Sequence, residues 1–198
     1  MNILINKTLA ILAGGKSSRM NYNNKALLSY KEKTFIEHII NAGKNFEEII
    51  IVANDKGIYK RFNLRVVEDI YKGNGPLSGI HSALKNSVTD KVLCIACDMP
   101  IVSSELLEFL GNYNGDYDVL IPKYKEKVQP LCAIYSKNII NRAENALINN
   151  ENKLQKFIVS LDYKIIEKLN NREFNEEDFL NVNTPMDYKE LEESKCIL

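Results

Sequence analysis

Thr8-Leu9-Ala10-Ile11-Leu12-Ala13-Gly14-Gly15-Lys16-Ser17-Ser18-Arg19-Met20 runs from an apolar stretch through a glycine pair into a polar, basic segment that reaches Lys25. Thr8 to Leu12 reads as a buried strand. Glycines directly after a strand let the backbone turn tightly and bring its N–H groups against an anion. Arg19 and Lys25 add positive charge to the same loop, which suits a polyphosphate. Gly15-Lys16-Ser17 matches the tail of a P-loop, but that motif needs a glycine at position 10, where the chain has Ala10 inside the strand.

Outward from this loop, short apolar runs alternate with helical patterns. Thr34-Phe35-Ile36-Glu37 fits a capping box and opens a helix with Phe35, Ile36, Ile39 and Ile40 at helical spacing. Strands are expected at 48–52, 64–67 and 92–97, with a Gly-Pro-led helix at 77–84 and another carrying Leu106, Leu107 and Leu110. The alternation predicts an α/β fold, a three-layer sandwich around a mostly parallel sheet. The later half reads differently. Strands at 119–122 and 128–135 are expected to pair around the polar 123–127 turn, followed by helices near 138–148 and 153–160. A strand near 163–168 comes next, and Thr184-Pro185 opens a last helix, with proline at a tolerated first-turn position. One domain over residues 1–198 is the economical reading, with a nucleotide-binding half of about 1–115 and an acceptor-binding half of about 116–198.

Composition narrows the partners. The 198 residues carry 26 basic and 26 acidic side chains. That balance lacks the basic excess of a general nucleic-acid binder. No apolar run approaches the roughly 18 residues of a membrane span, and Lys7 interrupts the N-terminal apolar stretch, so a cytoplasmic protein is expected. Cys94 and Cys97 form a Cys-x-x-Cys, yet positions three apart on a strand point to opposite faces, so they read as structural.

In parallel sheets, ligands bind beyond the carboxyl ends of the strands. Gly14-Gly15, Asp69 and Asp98 all fall at expected strand ends, and Asn54 follows another closely. A carboxylate at such a place suits Mg²⁺, which takes one or two carboxylates plus phosphate oxygens. Its other reading, a helix N-cap, is weakened for Asp98 by Ser103 and Ser104, which lie nearer the helix start. His38 and His81 read as structural, and no Ser-His-Asp or Cys-His set stands out.

Taken in order, the motifs resemble the molybdenum cofactor guanylyltransferases, the MobA family, and the wider nucleotidyltransferase superfamily. They are Leu-Ala-Gly-Gly-x-Ser-x-Arg-Met from Leu12 with Lys25, then Gly75-Pro76-Leu77-Ser78-Gly79, then Cys97-Asp98-Met99-Pro100. Gln129-Pro130-Leu131-Cys132-Ala133-Ile134-Tyr135 and Asn181-Val182-Asn183-Thr184-Pro185 complete the set. The resemblance implies a Rossmann-like sandwich of nucleotidyltransferase type. The implied reaction moves GMP from GTP to the terminal phosphate of molybdopterin and releases pyrophosphate, with Mg²⁺ as cofactor.

On that resemblance Leu12, Ala13, Gly14 and Gly15 hold the guanine nucleotide, and Lys25 lies on its phosphates. Asn54 and Asp69 match nucleotide-contacting positions, and Asp98 matches the magnesium ligand. Arg19, Lys25 and Asp98 are the expected catalytic residues, while Asn181 and Asn183 match the acceptor side. Transient contact with other cofactor-biosynthesis proteins or molybdoenzyme chaperones also follows from it. The Gly-Gly pair favours the guanylyl branch over cytidylyltransferases, which usually read Ala-Gly. The chain departs from the family's Arg-Met-Gly-x-Asp-Lys at Asn21 to Asn24, where Asn24 removes a negative charge beside Lys25. The remaining readings are a cytidylyl- or sugar-phosphate nucleotidyltransferase and a non-catalytic nucleotide-binding module.

Overall fold

The computed structural model describes residues 4–14, 24–170 and 172–193. Its sheet has eight strands in the order β10-β7-β9-β6-β1-β4-β5, with β8 attached to β7. The central strand β1 (Ile5–Leu12) runs parallel to β4 (Phe46–Val52) on one side and to β6 (Lys91–Ala96) on the other. Next to β4 lies β5 (Arg65–Val67), also parallel. The chain therefore builds outward from β1 through β4 to β5, then crosses back to β6. That reversal makes the carboxyl end of β1 the switch point where α/β sheets bind ligands.

Register brings the strand ends level. Leu12 pairs with Val52 and with Ala96, and Val52 pairs with Val67. The side-chain period of two then divides the core. Leu9 and Ile11 pack with α1 (Phe35–Ala42) and α3 (Ser104–Asn112). Ala10 packs on the opposite face with α2 (Pro76–Asn86), α4 (Ile140–Ile148) and α5 (Leu154–Val159). These are the three layers of the expected sandwich. Cys94 and Cys97 fall in different layers, and both are free thiols.

The expected capping box is present: the Thr34 backbone N–H and hydroxyl donate to Glu37 Oε2 at 2.7 and 2.6 Å. Ser103 caps α3, its hydroxyl accepting from the Leu106 N–H at 3.1 Å, so Asp98 is free of that duty.

In the later half the expected pairing around the 123–127 turn forms, but the second strand is broken in two. β7 (Val119–Tyr124) turns through Lys125 into the two-residue β8 (Lys127–Val128). The chain then breaks at Gln129-Pro130-Leu131 before β9 (Cys132–Ser136). A single strand over 128–135 does not form because Pro130 has no N–H to donate to a ladder. β9 runs antiparallel to both β6 and β7, and β10 (Tyr163–Ile166) pairs parallel with β7 at the sheet edge. The last helix, α6 (Pro185–Glu193), docks through Leu191 and Tyr188 on a small core of Tyr30, Phe35 and Val182. This core lies beside the hairpin β2 (Ser29–Tyr30) and β3 (Lys33–Thr34). Among the described residues no helix is long and apolar enough to cross a membrane.

Candidate active site

Backbone bonds past the strand ends make the floor of the site. The Ala13 N–H donates to the Val52 carbonyl at 2.9 Å, the Ala53 N–H to Val67 at 2.9 Å, and the Cys97 N–H to Leu12 at 3.2 Å. Four segments, 12–14, 52–54, 67–69 and 96–98, thus converge on one rim, and two groups of side chains stand on it.

The first group surrounds Gly14. A Cβ built at Gly14 would lie 3.4 Å from Asp69 Oδ2 and 3.9 Å from Asn54 Nδ2. Asn54 hydrogen-bonds the Asp69 carboxylate. Gly79, in the first turns of α2, closes the other side: its Cβ would sit 3.4 Å from Leu12 Cδ2 and 3.7 Å from Asp69 Oδ1. Leu12, Ala13, Gly14, Asn54 and Asp69 are therefore gathered as expected, and Gly79 joins them because α2 crosses close above β1. Asp69 Oδ1 is buried and has no hydrogen-bond partner among the described residues. Burial raises the Asp69 carboxyl above its ordinary value, and the Asn54 bond and Lys72 offset part of that rise. A buried acceptor without a donor is costly, and it is the kind of group that a ligand N–H satisfies.

The second group centres on Lys25. Its Nζ lies 3.8 Å from Asp98 Oδ2 and donates to Asn183 Oδ1 at 2.7 Å. Both charged side chains are more than four-fifths buried, at 16% and 19% exposed. Burial raises the Asp98 carboxyl, with Lys25 pulling the other way. Asp98 Oδ1 is buried and has no partner among the described residues. Among the described residues no group of three or more His, Cys, Asp or Glu side chains is placed to hold a metal. One carboxylate, with Oδ2 near the Lys25 ammonium and Oδ1 without a partner among the described residues, fits a magnesium ion that keeps most of its ligands as water and substrate phosphate.

Asn183 is set in place by the start of α6. The Asn183 and Thr184 N–H groups donate to Asp187 Oδ2 at 2.7 and 2.9 Å, and the Asp187 N–H returns to the Thr184 hydroxyl at 3.2 Å. These backbone donors hold Asp187 below the usual carboxylate range, with Lys25 adding to the effect. The Val182 N–H donates to the Asp98 carbonyl at 2.9 Å, which fastens this segment to the end of β6. Asn181 is exposed, its Nδ2 donating to the Phe179 carbonyl at 2.9 Å. No bond joins its side chain to Lys25 or Asp98. Gly15 and Arg19 lie outside the described residues, as does the rest of 15–23.

Sequence reasoning missed Asp187, Tyr59 and the part played by Asn24. Asp187 carried a legible signal, because Thr184-Pro185-Met186-Asp187 has the spacing of a capping box. Tyr59 carried none: an aromatic residue in a short loop gives no hint of where its hydroxyl points.

Comparison with known proteins agrees with this geometry. Residues 9–165 match the model of the MobA-like NTP transferase domain. A probable molybdenum cofactor guanylyltransferase from Clostridium perfringens is 50% identical over 200 residues, spanning 98% of this chain and 100% of the relative. One from Carboxydothermus hydrogenoformans is 44% identical, spanning 94% and 95%. The crystal structure of molybdopterin-guanine dinucleotide biosynthesis protein A from Archaeoglobus fulgidus superposes with a TM-score of 0.80 at 30% identity, covering 96% of this chain and all of that one. The match to the family model over residues 9–165 and the similarity to these relatives over nearly the whole chain place it in the MobA-like nucleotidyltransferase family, among its molybdenum cofactor guanylyltransferases.

Proposed function

We infer that this protein transfers GMP from GTP to the terminal phosphate of molybdopterin and releases pyrophosphate. The observation that carries the reading is the Lys25–Asp98 pair at the switch point, buried together with one Asp98 oxygen left free. A general binding module gains nothing from a buried, half-satisfied carboxylate beside a cation. A phosphoryl-transfer site does, because the phosphates and their counter-ion complete it.

The acceptor is a phosphate monoester with a second pKa of about 6, so it is mostly dianionic at neutral pH. It needs alignment and charge neutralisation more than a general base, which fits a site with no histidine on its rim. Leu12 to Gly14 with Asn54 and Asp69 would hold the guanine nucleotide, the Asp69 carboxylate accepting from donors on the base. Lys25 would lie along the phosphates and, with Arg19, offset the charge that gathers on departing pyrophosphate. Asp98 would hold Mg²⁺, whose chemistry there is charge neutralisation at the phosphate oxygens. Asn183, bonded to Lys25, would face the acceptor, with Asn181 beside it on the same segment.

The test is pyrophosphate release with GTP and Mg²⁺, with and without molybdopterin, and with CTP replacing GTP. Acceptor-dependent release with GTP is expected. Lys25→Ala and Asp98→Ala should each lower kcat by about 10²–10³ while the circular dichroism spectrum is unchanged. Preference for CTP, or near-normal turnover in either variant, would overturn the assignment.

A further inference from the structure

Asn24 stands where the family pattern has aspartate, immediately before Lys25. Its side chain does two things. Oδ1 accepts from the Ala26 N–H at 3.1 Å and caps the 3-10 turn Lys25–Leu27. Nδ2 donates to the hydroxyl of Tyr59 at 2.9 Å. That hydroxyl keeps its own proton, and its two acceptors are Asn24 Oδ1 at 3.2 Å and the Ala13 carbonyl at 3.4 Å. Tyr59 sits in the 3-10 segment Gly57–Phe62, is 1% exposed, and packs its ring in the core with Phe62 6.2 Å away. The fixed ring thus places one polar atom between the segment that carries Lys25 and the end of β1.

An amide at position 24 suits this arrangement better than a carboxylate. Asn24 offers the phenol a donor, so the phenol proton is released toward Ala13. An ionised aspartate accepts only, so it would draw the phenol proton to itself and leave the Ala13 carbonyl unlinked. Burial pushes the Tyr59 phenol up to about 12, so it is a protonated donor throughout the neutral range.

We propose that Tyr59 is a positioning residue for nucleotide binding, and that the Asn24–Tyr59–Ala13 contacts set where Lys25 stands relative to the end of β1. This rests on the nucleotidyltransferase reading for its ligand, and it deepens that reading by naming a residue outside the expected set. Tyr59, 1% exposed, acts through Asn24 and Lys25.

The experiment titrates GTP with Mg²⁺ by calorimetry into wild type, Tyr59→Phe, Lys25→Ala and the double variant, with thermal melts alongside. Phenylalanine keeps the packed ring, so the variant folds. Losing one hydrogen-bonded link predicts a GTP affinity about five- to tenfold weaker. Because Tyr59 acts through Lys25, adding Tyr59→Phe to Lys25→Ala should weaken binding less than twofold further. Asn24→Asp should lose part of the affinity that Tyr59→Phe loses. Unchanged GTP affinity in Tyr59→Phe, or full additivity with Lys25→Ala, overturns the proposal and leaves Tyr59 a core residue only. CTP and ATP are titrated in parallel. A chain that prefers another base overturns the guanylyl reading and still reports the Tyr59 effect, and a wild type that binds no nucleotide overturns both.

Discussion

Asp69 holds a carboxylate oxygen away from water with no donor to it among the described residues. Burial raises its folded pKa above the value of about 3.9 expected for an unfolded chain. A carboxyl raised in this way favours the fold only while protonated. Its contribution is present below the unfolded value and is lost as pH rises through the folded one. At pH 7 the ligand-free protein therefore carries a penalty that an asparagine avoids. Asp69→Asn should melt at a higher temperature than wild type at pH 7, with the difference shrinking as pH falls toward 4. The same variant should bind GTP less tightly, since a base donor loses its charged acceptor. Melting curves across pH and a GTP titration check both statements. A lower melting temperature at pH 7 would show that the carboxylate is satisfied in the fold.

At the scale of elements, the start of α6 works as a clamp. Asp187 accepts two backbone N–H groups and its own N–H bonds back to Thr184, so the first turn of the helix is tied to the loop carrying Asn183. Asp187→Ala should cost about 1 kcal/mol, in the range for a lost cap, or about 2–4 °C in a chain of this size. It should also raise KM, because Asn183 then holds Lys25 less firmly. Thermal melts and steady-state kinetics separate the two effects, and a stability loss with no change in KM would detach the clamp from the site. Gly43, at the end of α1, makes a contrasting case. A Cβ there would lie 2.1 Å from Leu9 Cδ2, and Leu9 is fully buried in the central strand. Gly43→Ala should destabilise by about 1–3 kcal/mol through overpacking, yet leave turnover per folded molecule unchanged, since Gly43 is remote from the rim. The capping box at Thr34 and the strand-end acids were legible beforehand because each depends on residues a few positions apart. Asn24 was legible only as a departure, since its partner Tyr59 lies 35 residues on.

On the scale of the whole molecule, the rim draws on both ends of the chain. The segments after the parallel strands β1, β4, β5 and β6 supply Gly14, Asn54 and the acids, and the C-terminal segment returns to supply Asn183. Lys25 and Asn183 are 158 residues apart and meet at 2.7 Å. The expected pairing of 119–122 with 128–135 around the 123–127 turn is present, but the second strand is broken and β9 also pairs along its length with β6. Insertion of β9 beside β6 covers a central strand that a local reading leaves at an edge.

Strand and helix alternation and the strand-end acids followed from the sequence by itself. Hydrophobic period, glycine freedom and capping chemistry all act over a few residues, so a linear string contains them. Only the tertiary structure decided which carboxylate oxygens are buried without a partner among the described residues, where β9 inserts, and that Tyr59 bonds Asn24 while Asn183 bonds Lys25. Those outcomes depend on packing between distant segments. Burial, not sequence position, leaves the Asp69 and Asp98 oxygens unpartnered.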